Sequence, residues 1–94
     1  MAAYRLSPRA RDGLTGLLDR AERNFGRRVA ERVLHRLADA FTSLARHPHL
    51  RRRRPEITDD PDIRFLAVTP TLIAYSWSEE GGLVVLLVER DERD

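Results

Sequence analysis

Residues 63–90 read IRFLAVTPTLIAYSWSEEGGLVVLLVER and contain three apolar runs separated by turn residues. The runs cover residues 63–68, 71–77 and 83–88, with Thr69-Pro70 at the first break and residues 78–82 at the second. β-Branched and aromatic residues are frequent in them, and runs of six or seven residues between turns favour strands over helix. We therefore predict three consecutive antiparallel strands.

The third run has no polar residue, which predicts a central strand that is covered on both faces. Side chains alternate along a strand, so Ile73, Tyr75 and Trp77 of the second run share one face. This face of large side chains predicts a covering layer, which the first half of the chain must supply.

The first half contains a short alternating segment, residues 3–6, and then two helical patterns. Ser7-Pro8 is typical of a helix start, with serine as the N-cap and proline at the first helical position. Gly26 is placed to end this helix in a left-handed conformation. The helix carries an apolar stripe of period 3.6, which consists of Ala10, Leu14, Leu17, Leu18, Ala21 and Phe25. Gly13 and Gly16 lie inside it, and either close approach of another backbone or tolerated drift on a solvent face accounts for them.

The second helix is predicted over residues 27–46, because the residue before Pro48 disfavours the helical conformation. Its core stripe is Val29, Val33, Leu37, Ala40, Phe41 and Leu44. A second apolar row contains Leu34, and this row either faces the first helix or forms a groove for a partner helix. Arg28, Arg32 and Arg36 are spaced by four, and such like charges repel each other on a helix. An acidic partner or the neighbouring Glu31 and Asp39 would relieve this repulsion.

The 94 residues predict one α+β domain, with the element order β-α-α-β-β-β and a helical hairpin packed on a small antiparallel sheet. The chain has no cysteine, which excludes disulfides and thiolate metal sites. No apolar stretch approaches the ~18–20 residues of a membrane span, and no signal peptide is visible. We therefore expect a soluble, cytoplasmic protein that has no contact with a membrane.

All 17 basic residues are arginine, and their distribution is uneven. Residues 1–54 hold 14 arginines and 5 acids, a net charge of +9, whereas residues 55–94 hold 3 arginines and 10 acids, a net charge of −7. The basic half suits an acidic protein or a nucleic acid. Arg51 to Arg54 are four consecutive arginines, which either grip phosphates or are simply solvated.

No phosphate-binding, zinc-protease or serine-hydrolase motif occurs in the sequence. His47 and His49 flank Pro48, and two histidines without a third ligand are a weak metal signal. We therefore expect neither a metal nor a cofactor.

Several local sequences resemble the ParE/RelE superfamily of bacterial toxin–antitoxin toxins, and most closely its ParE, plasmid-stabilisation branch. The resemblance is carried by YRLSPRA at residues 4–10, Ala40-Phe41, Leu44, His47-Pro48, Ile63-Arg64, Val68, Tyr75 and residues 85–90. It covers almost the whole chain. It implies the fold of that family and a toxin that a co-encoded, ParD-like antitoxin neutralises by direct binding, with a higher-order hetero-oligomer as one arrangement.

Members of the ParE branch act on DNA gyrase, whereas RelE-like members cleave mRNA on the ribosome. For a ribonuclease, the resemblance implies Arg64, Glu89 and Arg90 as the candidate catalytic residues. Pro70 stands where many members carry a second arginine, and Glu89 stands where some carry a histidine. Arg64 has an alternative interpretation as an ion-pair partner of Glu89.

The leading hypothesis is therefore a non-catalytic gyrase inhibitor, with an mRNA endonuclease, a nucleic-acid-binding module and an inactive relative as alternatives. The candidate target-binding residues are Glu89, Arg90, Asp91 and Arg93. The candidate antitoxin-binding residues are Arg28, Arg32, Leu34 and Arg36.

Overall fold

A computed structural model describes residues 4–49 and 56–91. Its elements are β1 (Tyr4–Leu6), α1 (Pro8–Phe25), α2 (Arg27–Arg46), β2 (Arg64–Val68), β3 (Thr71–Ser78) and β4 (Gly82–Arg90). The predicted order of strand, two helices and three strands is confirmed. The Arg51 to Arg54 segment, for which we predicted phosphate binding or simple solvation, lies outside the described residues.

The four strands form one sheet in the order β1-β4-β3-β2. The last three strands pair antiparallel, as predicted. β1 pairs parallel with β4, with Tyr4 opposite Leu83 and Leu6 opposite Val85, so the sheet is mixed. This pairing joins the two ends of the sequence, and β4 is consequently a central strand.

Both helices contribute to a core on one face of the sheet. Its fully buried members are Ala10, Leu37, Phe41, Leu44, Ile73, Tyr75, Leu83, Val85 and Val88. The rings of Tyr4 and Phe41 add a tilted aromatic contact, with centroids 5.3 Å apart. Burial of this apolar surface is the main term that stabilises the domain.

The opposite face of the sheet is less well covered than we predicted for β4. Val84, Leu86 and Leu87 are only half-buried. A smaller cluster on this side consists of Phe65, Leu72 and Ala74, with Ile63 and Leu87 at its edge. Among the described residues, this cluster contains no helix side chain. The apolar composition of β4 reflects its central place in the sheet and not two covering layers.

A β-bulge interrupts the alternation of β4. Ala74 lies opposite Leu87 and Tyr75 opposite Val85, so Leu86 has no partner on β3. A bulge inserts one extra residue into a strand and shifts the faces of the residues beyond it. For this reason the buried positions of β4 are Leu83, Val85 and Val88, where strict alternation predicts Leu87 instead.

Ser7 connects the start of α1 to this irregular part of β4. Its hydroxyl accepts a hydrogen bond from the N–H of Ala10 at 3.0 Å, which confirms the predicted N-cap. The same hydroxyl donates to the carbonyl oxygen of Leu86 at 3.0 Å. The backbone N–H of Ser7 donates to the carbonyl oxygen of Val85 at 2.8 Å. Ser7 therefore caps the helix and satisfies the carbonyl of the bulged residue.

Gly13 lies against the backbone of β4. A Cβ atom at Gly13 would overlap the carbonyl oxygen of Val88, so only glycine fits at this position. Close approach of another backbone therefore accounts for Gly13. A Cβ atom at Gly16, by contrast, would have no neighbour within 4 Å, so packing within the chain does not require this second glycine.

Gly26 separates the two helices, as predicted. Its φ of 94° lies in the region that favours glycine, but its ψ of 168° makes the residue extended and not left-handed helical. Its N–H donates to the carbonyl oxygen of Glu22 at 2.9 Å and closes α1. The second helix ends at Arg46, before His47-Pro48, as the sequence predicts.

We expect Ser7→Ala to lower the free energy of unfolding by about 2 kcal/mol. Loss of an N-cap accounts for about 1 kcal/mol, and loss of a hydrogen bond to a part-buried carbonyl for about 1 kcal/mol more. Urea denaturation followed by circular dichroism measures the change. Ser43→Ala, at an exposed position of α2, is the matched control and should leave stability nearly unchanged. Equal midpoints for the two variants would contradict the role of Ser7.

Candidate functional site

The predicted antitoxin-binding residues lie on two sides of α2, because a turn of about 100° per residue separates Leu34 from Arg32 and Arg36 by about 160°. Arg28, Arg32, Leu34 and Arg36 are all exposed, and Leu34 keeps 39% of its surface accessible. Leu34 lines a shallow depression of about 210 Å³ between the two helices, together with Leu18, Asp19, Glu22, Arg27, Ala30 and Glu31. The second apolar row of α2 is therefore divided, because Ala30 is buried and Leu34 is exposed.

Among the described residues, neither Glu31 nor Asp39 forms an ion pair with the three spaced arginines, so the relief of repulsion that these acids would give is not observed. Glu31 pairs with Arg27 at 3.6 Å, and both side chains are largely exposed. Within the described part of the chain, Arg28, Arg32 and Arg36 form no ion pair. One side of α2 therefore presents a row of positive charge, and the exposed Leu34 lies on another side, in the depression between the helices.

Phe25 is a further exposed apolar residue near this surface, at the end of α1. The periodicity of α1 predicted a core position for it, which is wrong, since 71% of its surface is accessible. The helical stripe reaches the end of α1, but every residue of the last turn, 22–25, is exposed. We call Phe25, Arg28, Arg32, Leu34 and Arg36 the hairpin surface.

Glu89 and Arg90, two of the predicted target-binding residues, are exposed at the end of β4. They line a groove of about 400 Å³ between α1 and β4, together with Asp12, Gly13, Gly16, Leu17, Arg20 and Val88. Asp91 is half-buried, and its N–H donates to the carbonyl oxygen of Pro70 at 2.8 Å, which fixes the chain as it leaves β4. Arg93 lies outside the described residues.

The register of the sheet does not bring the candidate catalytic residues together. Arg64 lies opposite Tyr75, which in turn lies opposite Val85. Glu89 is four residues further along β4. The separation is two strand spacings across the sheet, roughly 10 Å, and about 13 Å along it. Arg64 therefore lies at a different end of the sheet from Glu89 and Arg90, and the register does not support an ion pair between Arg64 and Glu89.

Arg64 instead lies at a small pocket of about 80 Å³, which we call the Arg64 pocket. Its lining residues are Pro48, His49, Pro61, Asp62, Arg64, Tyr75 and Trp77. The hydroxyl of Tyr75 donates to the carbonyl oxygen of Pro48 at 3.2 Å, which holds the end of α2 against β3. The ring of His49 meets the indole of Trp77 edge-on, with centroids 5.2 Å apart.

Trp77 does not take the core position that the alternation of β3 predicts. Ile73 and Tyr75 are fully buried as expected, whereas 36% of the surface of Trp77 is accessible. Trp77 lies one residue before the end of β3 at Ser78. The sequence signal for this exposure is the adjacent turn that follows Ser78.

Among the described residues, no group of three or more histidine and acidic side chains is arranged to hold a metal ion. No helix of residues 4–49 or 56–91 is both long and apolar enough to cross a membrane.

The fold of this chain is also that of a solved structure. A solved structure described as the chromosomal ParDE TA system from P. aeruginosa matches with a TM-score of 0.78, covers 98% of both chains and is 17% identical in sequence. At this level of identity the match shows a shared fold. No curated protein sequence matches the chain.

The sequence itself matches the model of a protein family over residues 4–94. That family is the ParE toxin of the type II toxin–antitoxin system parDE. The chain therefore belongs to the ParE toxin family.

We expect Trp77→Ala to lower the free energy of unfolding by about 1–2 kcal/mol, because the indole is only partly removed from water. Phe41→Ala is the reference variant, and its 2% exposure predicts a loss of about 3–5 kcal/mol. Trp77 is the sole tryptophan, so circular dichroism must follow the unfolding in place of fluorescence. Losses of the same size in both variants would contradict the partial exposure of Trp77.

Proposed function

We propose that the protein is a non-catalytic toxin that inhibits DNA gyrase by binding to it in the cytoplasm. In this proposal a ParD-like antitoxin neutralises the toxin by direct contact. The separation of Arg64 from Glu89 and Arg90 supports binding over cleavage more strongly than any other observation. Membership of the ParE toxin family points in the same direction.

Cleavage of RNA needs a base, cations for the developing charge and an acid within reach of one phosphate. Two side-chain atoms form a hydrogen bond at about 3 Å. The register places the backbones of Arg64 and Glu89 more than about 10 Å apart, both across the sheet and along it. An inhibitor that acts by binding needs no such convergence. It needs an exposed surface, and the groove beside Glu89 and Arg90 offers one.

The hairpin surface suits a partner that is amphipathic and acidic. Phe25 and Leu34 supply exposed apolar area, which favours a partner with an apolar face. Arg28, Arg32 and Arg36 add a row of positive charge on another side of α2, which favours acidic residues in a partner that wraps the helical hairpin. An amphipathic acidic segment of the antitoxin has both properties.

One observation favours the second candidate, an mRNA endonuclease. His49 and Arg64 line the same pocket, although they are 15 positions apart in the sequence and no motif pairs them. Histidine is the commonest general base in enzymes, and a neighbouring arginine stabilises negative charge. If the protein cleaves RNA, the Arg64 pocket is the expected location of the reaction.

We expect Leu34→Asp to weaken antitoxin binding at least tenfold, because it replaces the exposed apolar side chain of the depression between the helices by a charge. Calorimetry with the product of the neighbouring antitoxin gene measures the dissociation constant. Ile57→Asp is the matched control, because Ile57 is exposed to a similar degree, 44% against 39%, and lies in the loop before β2. Unchanged affinity in Leu34→Asp, or an equal loss in the control, would show that the antitoxin binds elsewhere.

We expect the purified toxin to inhibit supercoiling by gyrase and to leave ribosome-bound mRNA intact. Replacing Glu89 and Arg90 together by alanine should reduce the inhibition at least tenfold, because both side chains are exposed at the groove. Arg64→Ala and His49→Ala should inhibit gyrase as the wild type does. Circular dichroism spectra of the variants confirm that each is folded.

The opposite outcome would identify the enzyme. Ribosome-dependent cleavage that disappears in Arg64→Ala or His49→Ala, with supercoiling unaffected by the wild type, would favour the endonuclease. A wild-type protein that neither inhibits gyrase nor cleaves mRNA, but binds the antitoxin tightly, would be an inactive relative.

A further inference from the structure

Gly16 has no role in the packing of the chain, although it lies in the middle of an 18-residue helix. A glycine at such a position destabilises a helix relative to alanine. Gly13, one turn earlier, is explained by its contact with the backbone of β4, but the space above Gly16 is open. The open space belongs to the groove between α1 and β4.

The lining of the groove combines apolar surface with balanced charge. Leu17 is half-buried and provides the apolar surface, whereas Val88 is fully buried, and Gly16 leaves the helix backbone accessible beside Leu17. Two acids and two arginines complete the lining, namely Asp12, Arg20, Glu89 and Arg90. A volume of about 400 Å³ lies within the range of sites that take several side chains or a small ligand.

We propose that the groove receives a segment of the toxin's protein target, and that Gly16 provides the space for an apolar side chain of that segment. This inference rests on the proposed inhibition by binding and extends the target surface from Glu89 and Arg90 onto α1. In the complex, Gly16 contacts the target segment, and the absence of a side chain on Gly16 leaves room for the apolar side chain of that segment.

The charges favour the target over the antitoxin as the occupant. The groove lining is neutral, so it suits an apolar segment that carries charges of both signs. The exposed row of Arg28, Arg32 and Arg36 on α2 is positive and suits an acidic partner instead.

The geometry of α1 also separates the two surfaces. Successive residues of a helix turn by about 100°, so Gly13, Gly16 and Arg20 fall on one side. Leu18 and Glu22, which line the depression beside Leu34, fall on nearly the opposite side. One partner can occupy the groove while another occupies the hairpin surface, and continuity with Glu89 and Arg90 assigns the groove to the target.

The test compares Gly16→Ala with Thr15→Ala in the full chain. Both changes favour the helix, and each should raise the Tm by about 4 °C, but Thr15 is exposed and lies outside the groove lining. Growth arrest after graded induction is the main readout, because it does not depend on which target is hit. We expect Gly16→Ala to need about tenfold more toxin for the same arrest and Gly16→Leu to need more still, whereas Thr15→Ala behaves as the wild type.

Antitoxin affinity should be equal in all variants. Full growth arrest by Gly16→Ala overturns the inference, and so does a fall in its Tm, which would show that the methyl group clashes within the chain. Full toxicity with weakened antitoxin binding also overturns it and assigns the groove to the antitoxin. Growth arrest by the wild type without gyrase inhibition contradicts the proposed target alone, and a wild type that arrests no growth contradicts both proposals.

Discussion

The hydroxyl of Ser7 is the contact on which the arrangement of this domain depends. It caps α1 and at the same time binds the carbonyl oxygen of Leu86, the residue that the bulge leaves without a partner on β3. A buried carbonyl without a partner destabilises a fold, so the bulge and the start of the helix support each other. Two turns later, Gly13 brings the same helix against the backbone of Val88. The serine and the glycine together determine the position of α1 across β4.

That position creates both candidate surfaces. One side of α1 forms a groove with the end of β4, and another side forms the depression with α2. The bulge contributes as well, because it turns Val88 towards the helices and leaves Glu89 and Arg90 exposed beyond it. A strictly alternating strand would present a different pair of side chains at this point.

Local patterns predicted the elements well, because each signal determines the structure of residues close to it in the sequence. These signals are the helix periodicity, Ser7-Pro8, Gly26 and Pro48. The errors concern relations between distant parts of the chain. The parallel pairing of β1 with β4 and the bulge at Leu86 leave no mark on nearby residues. Periodicity predicts core positions for Phe25 and Trp77, because it continues to the last turn of a helix or the end of a strand. Both residues are exposed at these ends of α1 and β3.

The candidate sites also divide into local features, which the sequence predicts, and contacts between distant residues, which it does not. The exposure of Arg28, Arg32 and Arg36 was predictable, because these residues repeat on the polar side of one helix. The distance between Arg64 and Glu89 was not, since it depends on the register of three strands. His49 gave no signal, because its neighbours Arg64 and Trp77 come from β2 and β3.

The pairing of the first strand with the last also has a consequence for how the protein is made. β4 is synthesised after every other element, yet it contacts β1, β3 and both helices. While the ribosome is still adding β4, the earlier elements lack the strand that joins them, and contacts between distant parts of a chain form slowly. The domain therefore completes its fold only after translation has passed β4. A chain that terminates before Gly82 lacks the centre of its sheet, so a nonsense mutation almost anywhere in the gene yields a product without this core.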